Sequence, residues 1–156
     1  SERKLEGYYT GNIYAYENFL FSLEKNALSV DEISDLVDYS LLSWQGAIAH
    51  IGGDYAEMAK KNKRYSETHN QKTQLRMLFS GRVDFIQMDG NIFEFYRQEM
   101  LAENKQDVSA ETKRQALFGK SPNGFLFKSK EARDVCVTNL AFVKEKYRST
   151  LYVDLW

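Results

Sequence analysis

The side chain of this sequence that is best placed for binding chemistry is a carboxylate at the end of a buried strand. Residues 83–88 are too densely apolar for a half-exposed strand, which indicates a strand covered on both faces. Asp89 follows directly, beyond the carboxyl end of that strand, where open α/β sheets bind their ligands. Because Asn91 and Glu94 form a capping-box-like pair for the next helix, Asp89 has no evident structural duty. We therefore expect Asp89 to bind a ligand.

A second candidate lies at the preceding strand-to-helix junction, in the segment Ser43-Trp-Gln-Gly-Ala-Ile48. The free N–H groups and the positive dipole end of a helix N-terminus suit a carboxylate or a phosphate, and Gly46 permits close approach of the backbone. With Asp89 as the cation receptor, the pair would match a zwitterion such as an amino acid. The alternative is an ordinary β–α turn with a buried tryptophan. The predicted ligand-binding residues are Trp44, Gln45, Gly46, Ala47, Ile48 and Asp89.

The remaining chemistry-bearing residues predict no metal site, no cofactor and no catalytic residue. His50 and His69 lack the spacing of metal ligands, and Cys136 is the single cysteine, which excludes an intrachain disulfide. The sequence has no nucleophile elbow, Walker loop or dinucleotide fingerprint. A small cytosolic α/β enzyme that uses Asp89 as a general base stays open as an alternative, although no second catalytic group is visible.

Composition narrows the class of protein further. The chain has 156 residues, enough for one domain with a real core, and its formal net charge of −1 predicts no nucleic-acid partner. No stretch approaches the ~18 to 20 apolar residues of a membrane span. The N-terminal residues have no apolar signal core, so we expect either a cytosolic chain or one from which a signal has been removed.

Apolar spacing and turn residues predict alternating strands and helices. Strands are expected at 8–24 (one or two strands), 39–44, 64–68, 83–88, 115–118 and 124–128, and helices at 29–36, 47–62, 71–80, 91–103 and 131–148. Residues 120–124 are predicted as a turn, and residues 151–156 as a terminus that docks on the body. The alternation between 39 and 103 favours a parallel sheet with right-handed crossovers, to which later strands could add antiparallel. The predicted fold class is α/β, as a single lobe.

Three segments resemble a known family. LFSGRVDFIQMD resembles the Gly-Arg-Val-Asp strand of the type II periplasmic solute-binding proteins, the family 3 group that serves amino-acid ABC transporters. SLLSWQGAIAHIGGDYAEM and GFLFKSKEARDVCVTNLAFVKEKY are similar to that family's strand–glycine–helix segment and to its return strand and C-terminal helix. The resemblance implies a three-layer lobe with a mainly parallel sheet and antiparallel hinge strands. It divides the chain into hinge-like strands (1–28), the core of the lobe (29–118) and the return strand with the C-terminal helix (119–156), and the family's first lobe is absent.

The resemblance also implies a function. Asp89 corresponds to the carboxylate that holds the ligand's amino group, and Gly46, Ala47 and Ile48 to the helix start that holds the ligand's carboxylate. The family often has a threonine hydroxyl there, and this sequence has none. The implied protein is a periplasmic solute-binding protein and not an enzyme, with a small-molecule ligand and an ABC permease in the membrane as partners. A homodimer could cover the exposed cleft face. An extracytoplasmic sensory module of a membrane signalling protein is the second hypothesis.

Overall fold

The computed structural model describes residues 6–147, which divide into two compact units. The larger unit comprises Glu17–Gly119, and the smaller one contains the described residues on either side of it. In chain order the elements are β1 (Tyr8–Tyr9), β2 (Tyr14–Leu23), 3₁₀ helices at Glu24–Asn26 and Ile33–Asp38, β3 (Leu41–Trp44), α1 (Ala47–Ile51), α2 (Gly53–Lys61), β4 (Tyr65–Thr68), α3 (Gln71–Phe79), β5 (Phe85–Asp89), α4 (Gly90–Glu103), β6 (Thr112–Gln115), β7 (Lys120–Asn123), β8 (Leu126–Phe127) and α5 (Lys130–Tyr147).

The larger unit is built on a mixed sheet with the strand order β4-β3-β5-β2-β6. β3 runs parallel to both β4 and β5, and β2 runs antiparallel to β5 and β6. This confirms the predicted parallel arrangement of β3, β4 and β5. The strand that adds antiparallel to them is the earlier strand β2 and not a later one, because β6 pairs with β2 and so runs in the direction of β5. Because parallel strands share a direction, the carboxyl ends of β3, β4 and β5 lie at one edge, where the candidate residues were expected.

A hydrophobic cluster covers each face of this sheet. Phe85 packs in the cluster that contains Tyr55 and Met58 of α2, whereas Ile86 packs in the cluster that contains Leu75 of α3. All five residues of β5 are buried, so the prediction of a strand covered on both faces is confirmed. Each fully buried large apolar side chain stabilises the fold by roughly 1.5–3 kcal/mol.

Several predicted boundaries are wrong. The helix expected at 47–62 is two helices, because Gly52 adopts φ 65° and ψ −157°, a conformation that only glycine takes readily. The strand expected at 115–118 lies at Thr112–Gln115, and the turn expected at 120–124 is largely the strand β7. β7 forms because it pairs with β2, a tertiary contact that local composition does not show. The predicted docking terminus, 151–156, lies outside the described residues.

The smaller unit contains a short antiparallel pair and a long helix. β1 pairs with β8, with Tyr8 opposite Phe127. Arg133 of α5 donates from Nη1 to the carbonyl oxygen of Tyr9 at 3.0 Å, which links the helix to β1. None of the helices within residues 6–147 is long and apolar enough to cross a membrane.

Candidate functional site

The β3–α1 junction is a tight turn centred on Gly46. Gly46 has φ 94°, in the left-handed region, and precedes the first residue of α1. The backbone N–H of Gln45 donates to the carbonyl oxygen of Thr68 at 2.9 Å, which ties the turn to the end of β4. Trp44 is half-buried, and its ring centroid lies 5.4 Å from that of His50. The structure thus places half-buried Trp44 at the end of β3, at this edge of the sheet.

A carboxylate of the chain itself binds the backbone amides at this junction. The N–H of Gly46 donates to Oε2 of Glu67 at 2.8 Å, and the N–H of Ile48 donates to Oε1 at 3.1 Å. The parallel register pairs Glu67 with Ser43, so the side chain of Glu67 stands beside the end of β3. The prediction that Gly46 and Ile48 present free N–H groups is therefore wrong, since an internal acceptor binds both of them. Gln45 is exposed and Ala47 is fully buried.

Hydroxyl groups hold the Glu67 carboxylate in place. The Tyr65 hydroxyl donates to Oε1 of Glu67 at 2.7 Å, and the Tyr55 hydroxyl lies 3.4 Å from that of Tyr65. Tyr55 in turn donates to the Ser43 hydroxyl at 2.9 Å, and Ser43 donates to Oε1 of Gln87. Each tyrosine hydroxyl has one proton, which Tyr65 donates to Glu67 and Tyr55 donates to Ser43, so the two tyrosine oxygens are neighbours without a hydrogen bond between them. Three strands and α2 therefore contribute polar side chains to one cluster beside Glu67.

The electrostatics of this cluster favour a charged Glu67 carboxylate and neutral Tyr55 and Tyr65 hydroxyls. Burial alone would raise the pKa of Glu67, but hydrogen bonds from the Gly46 amide, the Tyr65 hydroxyl and the Ile48 amide outweigh it, so the pKa is lowered. Burial raises the pKa of Tyr55 to about 12. Burial, together with the neighbouring Tyr55 and Glu67, raises the pKa of Tyr65 as well. Both tyrosines are therefore hydrogen-bond donors at neutral pH.

Asp89 lies at the carboxyl end of β5, as predicted, but it has a structural duty. It is the N-cap residue of α4, and its Oδ1 accepts hydrogen bonds from the N–H groups of Asn91 (2.9 Å) and Ile92 (3.1 Å). Its Oδ2 accepts from the N–H of Glu17 on β2 at 2.9 Å. The predicted capping pair of Asn91 and Glu94 is wrong, because α4 begins one residue earlier, at Gly90.

The structure places the candidate residues at the same edge of the sheet, but it does not bring them together into one open binding site. β3 and β5 are adjacent parallel strands, so Trp44 and Asp89 both lie at strand ends on that edge. Asp89 is buried, with 4% of its surface exposed. Within residues 6–147 no group of three or more His, Cys, Asp or Glu side chains is arranged to hold a metal ion.

Glu67 is the residue that sequence reasoning missed. It directly precedes Thr68, the last residue of β4, and the loop that follows contains Asn70, which caps α3 by accepting from the N–H of Thr73. The one available signal was its position in the sequence. Because β3 and β4 are parallel neighbours, an acidic residue near the end of β4 lies near the start of α1, which follows β3. Its side-chain direction depends on the strand register, which the sequence alone did not provide.

Comparison with known proteins identifies the fold through structure alone. No protein-family model matches this sequence, and no curated protein sequence matches it. Solved structures do match. The ligand-binding core of GluR0 in complex with L-glutamate aligns with a TM-score of 0.64 at 12% identity, covering 92% of this chain and 61% of that one.

Two further structures have the same architecture. A protein described as a binding component of an ABC transporter from Wolinella succinogenes, complexed with lysine, aligns with a TM-score of 0.63 at 14% identity, covering 99% of this chain and 68% of that one. A histidine kinase sensor domain with similarity to periplasmic binding proteins aligns with a TM-score of 0.59 at 15% identity, covering 90% and 58%.

These alignments confirm the resemblance at the level of the fold. The chain has the mixed α/β fold of type II periplasmic binding proteins, with a central sheet flanked by helices. It spans about three fifths of the length of the GluR0 core. Fold alone does not determine function, so the solutes named for these proteins are properties of those proteins.

Proposed function

We propose that this lobe binds a small, polar, amino-acid-like solute at the edge formed by the carboxyl ends of β3 and β5. The observation that carries the proposal is the position of Asp89 and Trp44 on that edge, in a fold shared with proteins solved in complex with glutamate and with lysine. Ligands of open α/β sheets bind beyond the carboxyl ends of the strands. We include Gln45, Gly46, Ala47 and Ile48 in the proposed site.

Asp89 has acceptor capacity left for a solute. Its Oδ1 accepts two amide hydrogen bonds, whereas its Oδ2 accepts one, from Glu17. A carboxylate oxygen has two lone pairs, so Oδ2 can accept one further hydrogen bond. A solute ammonium group would form a charge-assisted bond there, and the buried surroundings of Asp89 would strengthen it. Half-buried Trp44 would add an apolar wall.

The larger assembly is part of the same proposal. We propose that this chain is one lobe of a periplasmic binding protein that delivers solute to an ABC permease in the membrane, closing on the solute with a second lobe. In support, the chain aligns over 99% of its length with a protein described as an ABC transporter component and spans 68% of it. A second copy of the chain that covers the cleft face remains a further prediction, which sedimentation velocity would test.

The experiment is a calorimetric titration of the chain with the twenty common amino acids. We expect at least one to bind, and we expect Asp89→Asn to weaken that binding at least tenfold, a loss of about 1.4 kcal/mol. Asn can still cap α4, so the variant removes the charge with a smaller cost to folding. Asp31→Asn, at an exposed aspartate, is the matched control and should leave affinity unchanged. Equal affinity of Asp89→Asn and the unaltered chain would refute the assigned role of Asp89.

A sensory module of a membrane signalling protein is the second candidate, and one observation favours it. The histidine kinase sensor domain aligns with this chain over 90% of its length. Fractionation of cells that express the complete native gene distinguishes the two. A transport role predicts the protein in the periplasmic extract, whereas a sensor role predicts it in the membrane fraction.

The enzyme alternative has less support. The structures that align are described mostly as binding proteins. A general base needs a reacting partner within hydrogen-bond reach. Among the described residues, the hydrogen bonds to the Asp89 carboxylate all come from backbone amides. Activity of the chain alone, abolished by Asp89→Asn, would revive this alternative.

A further inference from the structure

The β3–α1 junction contains a feature that the proposed function does not explain. The backbone amides that would receive a solute carboxylate already bind one, and it belongs to Glu67. We propose that Glu67 determines specificity by occupying this turn, so that the carboxylate of a solute is excluded from it. The proposal rests on the proposed function for the location of the site, but the Glu67 contact itself does not depend on it.

The Glu67 carboxylate accepts from both backbone amides of the turn. One carboxylate oxygen binds the Gly46 amide and the other binds the Ile48 amide, at 2.8 and 3.1 Å. An amide N–H has one proton to donate, so a second carboxylate could bind these groups only after Glu67 had left.

Glu67 is held against leaving by a third donor. The Tyr65 hydroxyl binds Oε1 at 2.7 Å, and Tyr65 is itself fixed against Tyr55 by an edge-to-face ring contact with centroids 5.9 Å apart. Tyr55 is completely buried and donates to Ser43. Displacing Glu67 would therefore break three hydrogen bonds to a charged group.

Charge repulsion adds to this exclusion. The carboxylate of Glu67 is charged at neutral pH, since its pKa is lowered by the amides and by Tyr65 despite burial. A second carboxylate beside it would be repelled, because two like charges at contact distance in a partly desolvated site are weakly screened. A solute group next to this turn is consequently a hydrogen-bond donor or an apolar group, and the carboxylate of an amino-acid-like solute must lie elsewhere in the site.

The test uses sodium acetate as the carboxylate probe and the amide signals of the chain as the readout. Acetate is titrated into ¹⁵N-labelled protein at neutral pH and constant ionic strength, while the Gly46 and Ile48 signals are followed. In the unaltered chain both signals should stay in place. In Glu67→Ala both should shift and reach saturation, because the freed amides can then bind acetate. Glu57→Ala is the matched control, since Glu57 is exposed and pairs with Lys60 on the same helix.

Each outcome bears on the proposal. Saturable shifts of Gly46 and Ile48 in the unaltered chain would overturn it, because a solute carboxylate would then have access despite Glu67. An absence of shifts in Glu67→Ala would also overturn it, because something other than Glu67 would exclude the anion. If Glu67→Ala does not fold, Glu67→Gln keeps the side-chain length and removes the charge, and acetate should then shift the same two signals more weakly. If none of the twenty amino acids binds in the calorimetric titration but acetate behaves as expected, the proposed function is refuted and the role of Glu67 is still supported.

Discussion

The β5–α4 and β3–α1 junctions both end with a carboxylate bound to the first backbone amides of a helix, but the carboxylates come from different places. At β5–α4 the carboxylate belongs to Asp89, the residue immediately before the helix. At β3–α1 it belongs to Glu67, which is 21 residues from Gly46 along the chain and lies on another strand. Gly46 precedes α1 and has no side chain with which to cap it.

The backbone amides at a helix start can be hydrogen-bonded by the residue just before the helix or by a residue on a neighbouring strand. Unbonded amides at a helix N-terminus must find acceptors. We call Asp89 the local cap of α4, and Glu67 the distant cap of α1. A local cap depends on the residue type at one position, whereas a distant cap also depends on the correct strand register. The local cap uses three acceptor positions of the Asp89 carboxylate, and the distant cap occupies the amides of Gly46 and Ile48. The variants below test each side of this difference.

Asp89→Ala should have the largest effect on stability. It removes a buried acceptor for three backbone amides, those of Glu17, Asn91 and Ile92. Buried donors left unpaired cost roughly 1–3 kcal/mol each before any relaxation, so we expect a loss of about 3 kcal/mol in the free energy of unfolding. Urea denaturation measures it, with Asp31→Ala as the exposed control. A loss below about 1 kcal/mol would mean that the local cap is not the structural element described here.

Glu67→Ala should destabilise the chain less. Glu67 is half-buried, so water can reach the amides of Gly46 and Ile48 when the carboxylate is removed. We expect a loss of roughly 1.5 kcal/mol in the free energy of unfolding, about half the effect at Asp89. Glu57→Ala, measured in the same urea series, should stay within about 0.5 kcal/mol of the unaltered chain. A Glu67 effect as small as the Glu57 effect would contradict the distant cap.

Gly46→Ala tests whether the turn geometry is what makes the distant cap possible. A Cβ at this position would lie 3.6 Å from the Trp44 ring, an ordinary contact, so the cost is conformational. With φ at 94°, we expect a loss of about 1 kcal/mol in the free energy of unfolding. Gln45→Ala, at the exposed preceding residue, is the control for the urea measurement. No loss at Gly46 would indicate that the turn adopts another conformation.

The smallest effect is a pH dependence of the distant cap. Because the pKa of Glu67 in the fold is below its ordinary value of 4.5, its contribution to stability is fully present above that value. The contribution is lost as pH falls through the lowered pKa of the folded state. The difference in unfolding free energy between the unaltered chain and Glu67→Gln should therefore shrink as the pH falls below 4.5. A difference that stays constant with pH would contradict the lowered pKa.

The order of the strands and helices around the site could be predicted from the sequence. Apolar density predicted a doubly covered β5, and alternation of strands and helices predicted parallel pairing, both of which the structure confirms. These features depend on residues that are near one another in the chain.

The sequence was insufficient wherever a competing local pattern or a distant contact decided the outcome. Asn91 and Glu94 fit a capping box, and that pattern competed with the correct cap two residues earlier, at Asp89. The Glu67 contact depends on the pairing of Glu67 with Ser43, which fixes the face from which the side chain points. The strand β7 depends on its pairing with β2 and overrides the turn composition of its residues.

The most direct test that Glu67 occupies the β3–α1 turn is the pKa of Glu67, followed through its side-chain carboxyl carbon by NMR together with the amide protons of Gly46 and Ile48. We predict a midpoint below 4.5 for Glu67 and a shift of both amide signals with that same midpoint, because the three groups are hydrogen-bonded. A midpoint at or above 4.5, with amide signals that do not follow it, would show that the turn is open and that Glu67 does not occupy it.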